Sequence, residues 1–429
     1  MACEKTKVNP MKVLVINTSE KNGGAAIAAN RLVKALRKNK VGVTMLVRDR
    51  QTNDNDVVAL GMTVRTKWQF VWERFVIWML NKFDKKRLFQ ISLANTGTDI
   101  TKLKEFEDAD VLHIHWVNQG MLSLNDIDRI VKSGKPVVWT MHDMWPFTGV
   151  CHYSEECTNF LESCGDCPFL CSRSKNDISH KLLDKKRIIY NNSNIVFVAC
   201  SKWLRNVARE SGVLKDKNVI SIPNTIDTEL FKEKDKQNIR DKYGLPNDKR
   251  LLLFGSAKIS EKRKGFSYLI EACNILLSRY PELCKDLGMI ILGKCNEGDF
   301  SIPLPAYSMN YIKDENELSD IYNAADVYVT PSLQDNLPNT IMEALACGLP
   351  CVGFNVGGIP EMIEHKVNGY IAEYKSSQDL ADGIRWILQD AQYQDLQKQA
   401  VRKVEECYSD KIVVNEYLQI YNSLTNNDN

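Results

Sequence analysis

Short apolar runs rich in β-branched residues alternate with helix-length amphipathic segments along almost the whole chain, and this alternation confines the fold more than any other feature. Such runs, each followed by a loop and a helical stretch, build parallel sheets covered by helices. The pattern places strands at 12–16, 43–47, 111–114, 136–140 and 195–199. After a charged, strand-poor stretch at 229–250, a second series follows at 251–254, 288–292, 326–330, 350–353 and 369–371. The expected fold class is α/β, with two Rossmann-like doubly wound parallel-sheet domains facing an interdomain cleft. The expected domains are 1–224 and 225–409, with a Cys-rich loop at 151–171 in the first and a C-terminal helix and tail at 410–429 returning to it.

A chain of 429 residues with 44% hydrophobic content can give each domain a core, which excludes a disordered protein. Lys and Arg total 56 against 54 Asp and Glu, a net charge of +2 that is too balanced for a duplex nucleic-acid partner. No apolar run is long enough to span a membrane. Residues 1–10 are polar and the apolar stretch at 13–16 is too short for a signal peptide's core, so the expected location is cytoplasmic. In a reducing compartment the 13 cysteines point to metal binding or burial rather than disulfides.

Ligands of open parallel sheets sit beyond the carboxyl ends of the strands, so the residues just after each strand carry the chemistry. After the first strand, Gly23-Gly24-Ala25-Ala26 leads into a helix expected at 27–37. Bare backbone at a helix N-terminus suits an anion, and paired glycines equally suit a tight turn. The stretch Gly288 to Cys295 approaches a phosphate-binding loop, but Cys295 stands where the Mg²⁺-holding hydroxyl belongs and the intervening residues are apolar. It reads as strand and turn. Asp-x-Asp pairs at Asp54/Asp56, Asp108/Asp110 and Asp126/Asp128 are no more than an acid-rich chain yields by chance.

The most informative segment runs from Thr330 to Gly348. Pro338 starts a helix expected at 339–347, which places Asp335 on the preceding loop and Glu343 one and a half turns inside. Free backbone N–H groups at 336–340 would face an anion, while one carboxylate binds sugar hydroxyls and the other a ribose diol. The alternative is that both acids are solvated surface charges. Glu343 argues against it, because Ile341, Met342, Ala344, Leu345 and Ala346 around it are apolar.

An acid, seven residues, a glutamate and a small-residue helix ending in glycine resemble the family 4 glycosyltransferases of the GT-B fold, and the likeness covers nearly the whole chain. Gly23-Gly24, the run Ile222 to Asp227, and Gly357-Gly358-Ile359-Pro360-Glu361 match the same pattern. The resemblance implies that Glu343 holds the nucleotide ribose and that Asp335, with backbone groups of Asn336 and Leu337, holds the transferred sugar. Asp335 stands where the family usually carries Glu. The resemblance also implies a basic pair on the donor diphosphate, supplied by Arg263 and Lys264, with Lys258 substituting for the arginine that many members carry at the position of Ser256.

His113, His115 and His142 follow strand ends in the first half, and His142 matches the histidine the family places near the reacting sugar carbon. The implied reaction is a retaining, metal-independent transfer of a hexose-type sugar from a UDP- or GDP-linked donor to a glycan or lipid-linked acceptor, in surface polysaccharide or glycoconjugate synthesis. The departing diphosphate itself would take the acceptor's proton. The alternatives from other classes are a nucleotide-sugar epimerase and a catalytically inactive nucleotide-sugar-binding module.

Two further features stand apart from the donor site. Cys151, Cys157, Cys164 and Cys167 include the Cys-x-x-Cys spacing of a structural zinc knuckle, with Cys171 and His152 to spare; free thiols or a disulfide are the alternatives. The resemblance extends here, since similar cysteine-bearing loops follow the histidine matched by His142 in some related bacterial enzymes. Residues 68, 71, 72, 75, 76, 79, 80 and 83 form an apolar helical stripe widened by Phe70, Ile77 and Trp78 and surrounded by Lys and Arg across 65–87. Such a helix either lies on the inner face of the cell membrane or packs on the first domain's sheet.

Overall fold

The computed structural model describes residues 11–61, 63–294 and 301–426. It divides into two compact units: the chain up to Ile222 together with the chain from Val414 onward, and Pro223–Val413.

The first unit is built on seven parallel strands: β1 (Lys12–Ser19), β2 (Gly42–Asp49), β3 (Val57–Ala59), β4 (Val111–Ile114), β5 (Val137–Met141), β6 (Val196–Ala199) and β7 (Val219–Ser221). They lie in the order β3-β2-β1-β4-β5-β6-β7. Every residue of β4, β5 and β6 is buried, as is all of β1 after Lys12. That burial explains why these strands read as continuous apolar runs rather than alternating ones. Leu14, Ile16, Leu112, Ile114, Trp139 and Phe197 form the centre of one core.

The second unit holds β8 (Arg250–Lys258), β9 (Leu287–Lys294), β10 (Ala306–Met309), β11 (Val327–Thr330), β12 (Cys351–Phe354) and β13 (Gly369–Ala372). Their order is β10-β9-β8-β11-β12-β13, again all parallel. Leu252, Phe254, Val327, Val329, Val352 and Phe354 line its core. Residues 288–292 lie within β9 as expected, while Cys295 falls outside the described residues.

Both orders reverse direction at the first strand, so each unit has a topological switch point: β1 beside β4, and β8 beside β11. Loops that leave adjacent strands to opposite faces open a crevice there. In the first unit these are the loops carrying Gly23-Gly24 and His115; in the second, the loops after Lys258 and after Thr330.

The C-terminal helix Asp410–Asn426 buries Tyr417 and Tyr421 in the first unit. Their hydroxyls reach Thr140 Oγ1 at 2.8 Å and His113 Nδ1 at 2.6 Å.

The aromatic helix divides its residues between a buried and an exposed side. The helix Val64–Leu80 buries Thr66, Gln69, Glu73, Arg74 and Ile77, and leaves Trp68, Val71, Trp72, Phe75 and Met79 exposed. Most of the apolar stripe is therefore exposed, while Ile77 joins Ile91, Leu93 and Val150 in a small core cluster against which Val76 and Leu80 pack. Buried polar groups take the inner side because each has a partner: Glu73 Oε1 accepts from the Leu93 and Ala94 N–H groups at 2.7 and 3.0 Å, and Gln69 Nε2 donates to Gly97 O at 2.6 Å. Arg74 pairs with Glu73 at 3.1 Å and donates to Leu88 O. Hydrogen bonds and the ion pair offset part of the cost of burying these groups, and they hold the 88–98 segment against the helix.

Candidate functional site

In the second unit the segment 331–338 runs from β11 to the helix Asn339–Ala346, whose N-terminus is Pro338. Asp335 and Glu343 are both buried, so neither is a solvated surface charge. Lys264 Nζ donates to Asp335 Oδ2 at 2.6 Å, and Arg263 Nη1 lies 3.5 Å from the same oxygen. Burial would raise the Asp335 carboxyl, but the two cations hold it below the usual carboxylate range. Arg263 is itself oriented: Nη1 donates to Gln334 O at 2.7 Å and Nε to Glu261 Oε1 at 3.0 Å.

Two glycines let neighbouring loops close on this segment. Gly265 (φ +69°) follows the basic pair, and a Cβ there would overlap Pro331 O; Gly357 (φ +60°) presses on Asp335 O in the same way. Both adopt the left-handed conformation that only glycine enters freely, so the late glycine turn is held by backbone contact to Asp335 and the basic pair to Pro331 at the start of the same segment. Gly358 N–H also donates to Asp335 O at 3.3 Å.

Glu343 Oε2 accepts from Tyr322 Oη at 2.7 Å. Asn336 and Leu337 are buried beside Asp335. Asn224, from the run Ile222 to Asp227, donates to Asn339 Oδ1 at 3.0 Å, which ties that run to the start of the helix. Lys258, the expected substitute cation, is exposed near the end of β8 and makes no ion pair among the described residues. The cations that meet Asp335 are Arg263 and Lys264.

In the first unit, Gly23 (φ +95°) and Gly24 open the helix Gly24–Lys38, are exposed, and have nothing within 4 Å of a Cβ placed on either. That is an accessible helix N-terminus at the switch point. The three histidines divide by role. His113 is fully buried, with Nδ1 on Tyr421 and Nε2 on Thr140 Oγ1 at 2.7 Å; it ties β4 and β5 to the C-terminal helix. His115 Nδ1 and His142 Nε2 share a proton at 2.9 Å. His142 alone of the three is partly exposed. Burial lowers His142 to about 4 and His113 to about 3, so both are neutral near pH 7. A neutral His142 offers hydrogen bonds rather than positive charge.

His152, set aside in the sequence as a spare ligand, belongs to a different network. Its Nδ1 meets Asp143 Oδ2 at 2.7 Å and its Nε2 meets Ser92 Oγ at 3.0 Å. Asp143 also accepts from Trp116 Nε1 and the Trp145 N–H, both at 2.9 Å. Burial would raise Asp143, but His152 and these hydrogen bonds hold it low. The residue following His142 is thereby anchored from three sides. Only the adjacency of Asp143 to His142 hinted at this in the sequence.

Cys151, Cys157, Cys164 and Cys167 line one small cavity of about 10 Å³. Burial raises the thiols of Cys164 and Cys167 to about 11 and that of Cys151 further. All four are free thiols and Cys171 is exposed. Among the described residues no group of three or more His, Cys, Asp or Glu side chains is placed to hold a metal ion. The spacing thus brings the four thiols to one place, and closing them on an ion would take side-chain movement.

A larger cavity of about 820 Å³ lies elsewhere on this unit, lined by Arg65, Trp68, Asn95, Asp99, Asn125 and Arg129 among others. None of the site residues selected from the sequence lines it. An exposed tryptophan face beside planar polar groups suits a sugar or a phosphorylated head group.

The sequence pattern of Glycosyl transferases group 1 matches residues 235–404, and that of Glycosyltransferase Family 4 matches residues 22–230. The chain belongs to the family 4 glycosyltransferases. Within the family, N-acetyl-alpha-D-glucosaminyl L-malate synthase of Bacillus anthracis is 23% identical over 54% of this chain, and the match spans 61% of that relative's length. Sucrose-phosphate synthase from Thermosynechococcus elongatus superposes with a TM-score of 0.65 at 17% identity, covering 96% of this chain and 99% of that one. The Anabaena protein HepE in complex with UDP-glucose gives 0.63 at 16% identity, covering 96% and 100%. At these identities the two structures share the fold, two Rossmann-like units of the GT-B type. The matches lend nothing to the epimerase alternative.

Proposed function

We propose that this family 4 glycosyltransferase moves a hexose-type sugar from a UDP- or GDP-linked donor to a glycan or lipid-linked acceptor, with retention of anomeric configuration, in the making of surface polysaccharide or glycoconjugate. The observation that carries the reading is the second unit's cluster: two cations on a buried carboxylate at the head of a helix whose interior holds a second buried carboxylate. A nucleotide diphosphate sugar presents the complementary set of two phosphates, a ribose diol and sugar hydroxyls. HepE, of the same fold, has been solved with UDP-glucose, which supports a donor of that class.

In the reaction the bond from the sugar's C1 to the diphosphate oxygen breaks and the acceptor oxygen bonds to C1 on the same face. The acceptor's proton passes to the departing diphosphate. Lys264 and Arg263 offset the charge that grows on the diphosphate, where preorganised donors are worth most. Asp335 accepts from sugar hydroxyls and Glu343 from the ribose diol. His142, neutral and held by His115 through Nε2, would turn its Nδ1–H from the Cys200 sulfur, 3.5 Å away, to a sugar hydroxyl. The Gly23-Gly24 helix start and the cavity at Trp68 serve the acceptor, the first for its phosphate and the second for its sugar. No metal enters the transfer in this reading; zinc held by Cys151, Cys157, Cys164 and Cys167 would have a structural part, pinning the chain after His142.

Incubating the protein with a nucleotide sugar alone, and then with acceptor, separates the readings. Transfer only with acceptor supports this one, isomerisation without acceptor means an epimerase, and binding without turnover means an inactive module.

A further inference from the structure

The helix Val64–Leu80 carries an aromatic ladder on its open side. Trp68 stacks on Trp72 with ring centroids 5.0 Å apart, Trp72 meets Phe75 at 5.9 Å, Phe75 meets Trp78 at 6.1 Å, and Trp78 meets Phe83 edge-on at 4.6 Å. Trp68 is 58% exposed, Val71 60% and Phe83 58%. A contiguous apolar surface of this kind marks an interaction site rather than scattered surface residues. The helix is not free to turn this side inward, because Gln69, Glu73 and Arg74 already hold the opposite side to the 88–98 segment.

Charge at the two ends of the ladder narrows the choice of occupant. Arg65 and Lys67 flank one end and Lys82, Lys85 and Lys86 the other; all are exposed and none forms an ion pair among the described residues. Glu73 is buried with Arg74, which leaves Asp84 as the one exposed acid between Val64 and Arg87. A second copy of the chain would bring like charges together at both ends. No described helix is long and apolar enough to cross a bilayer, so contact would be at the surface.

We propose that the exposed side of Val64–Phe83 docks this protein onto an anionic lipid surface, with Trp68, Trp72 and Phe75 seated at the headgroup–acyl boundary and the terminal Lys and Arg residues on lipid phosphates. Trp68 also lines the cavity of about 820 Å³, so the docked helix brings that cavity to the membrane plane. The docking itself goes beyond the transfer reading and does not rest on it, since neither donor nor acceptor takes part.

The test is co-sedimentation of the full chain with vesicles of phosphatidylcholine alone and of phosphatidylcholine mixed with phosphatidylglycerol, at low and high salt. The expected result is binding to the anionic vesicles only, weakened by salt. Combining Trp68→Ser, Trp72→Ser and Phe75→Ser, or Lys82→Glu, Lys85→Glu and Lys86→Glu, should each weaken it by roughly tenfold or more. Because these side chains are exposed, both variants should keep the parent melting temperature. The proposal is overturned if the parent protein ignores anionic vesicles, if folded variants bind as it does, or if light scattering shows a dimer that the aromatic variant converts to monomer.

Discussion

The ammonium of Lys264 lies 2.6 Å from the Asp335 carboxylate, and the Arg263 guanidinium shares the same oxygen at 3.5 Å. Two cations meet two carboxylates here, Asp335 with both and Glu261 with Arg263 at 3.0 Å, and the fork of Arg263 is already aimed by Gln334 and Glu261. A diphosphate arriving here competes with Asp335 for its partners. Asp335→Asn should therefore bind nucleoside diphosphates at least as tightly as the parent while sugar transfer falls by roughly a hundredfold, the scale of losing one charge-assisted contact in the transition state. Calorimetry with UDP and GDP, set beside turnover, checks both halves. Weaker nucleotide binding in this variant would show that Asp335 supports the clamp rather than the sugar.

His113 and His142 give the fold a pH dependence whose sign is fixed. Burial depresses both, to about 3 and about 4, below the value near 6.5 expected of the unfolded chain. The unfolded state then binds more protons below pH 6.5, so the contribution is complete above that value and is lost as pH falls toward 4. Each unit of depression corresponds to about 1.4 kcal/mol, so the effect is visible in a melting curve. The melting temperature should fall steadily from pH 6.5 to 4, and His142→Gln should flatten part of that slope. A midpoint unchanged across this window would contradict the assignment.

The four-cysteine loop yields a count. If Cys151, Cys157, Cys164 and Cys167 close on zinc, protein purified without chelator should carry about one equivalent, released by a thiol-modifying mercurial. Cys164→Ser should lower the zinc content and the melting temperature together. Metal-free protein with an unchanged melting temperature would make the four residues ordinary free thiols, in keeping with the burial that raises Cys151, Cys164 and Cys167.

The core strands were legible because burial on both faces writes them as unbroken apolar runs. β3, β7 and β10 were not, because they are short edge strands with at most one buried residue each. The acid–glutamate spacing pointed to Asp335 and Glu343, but not to Tyr322, whose hydroxyl reaches Glu343 from a separate helix. Likewise nothing local announced that Ser92 would meet His152 from 60 positions away. Periodicity identified the stripe on Val64–Leu80, while the side that faces inward was decided by hydrogen bonds that Gln69 donates to, and Glu73 accepts from, a segment some 20 to 28 residues further on. Repeating patterns report which residues share a face; they do not report which face finds partners.

The central claim is that the second unit binds a nucleotide diphosphate sugar through Arg263, Lys264 and Glu343. Isothermal titration of UDP- and GDP-linked sugars into the full chain tests it most directly. One nucleotide class should bind, with Lys264→Ala weakening it by roughly ten- to a hundredfold, the scale of a charge-assisted hydrogen bond, and with Glu343→Gln weakening it at an unchanged melting temperature. Failure of the parent protein to bind either class, or parent-like affinity in both variants, would contradict the account.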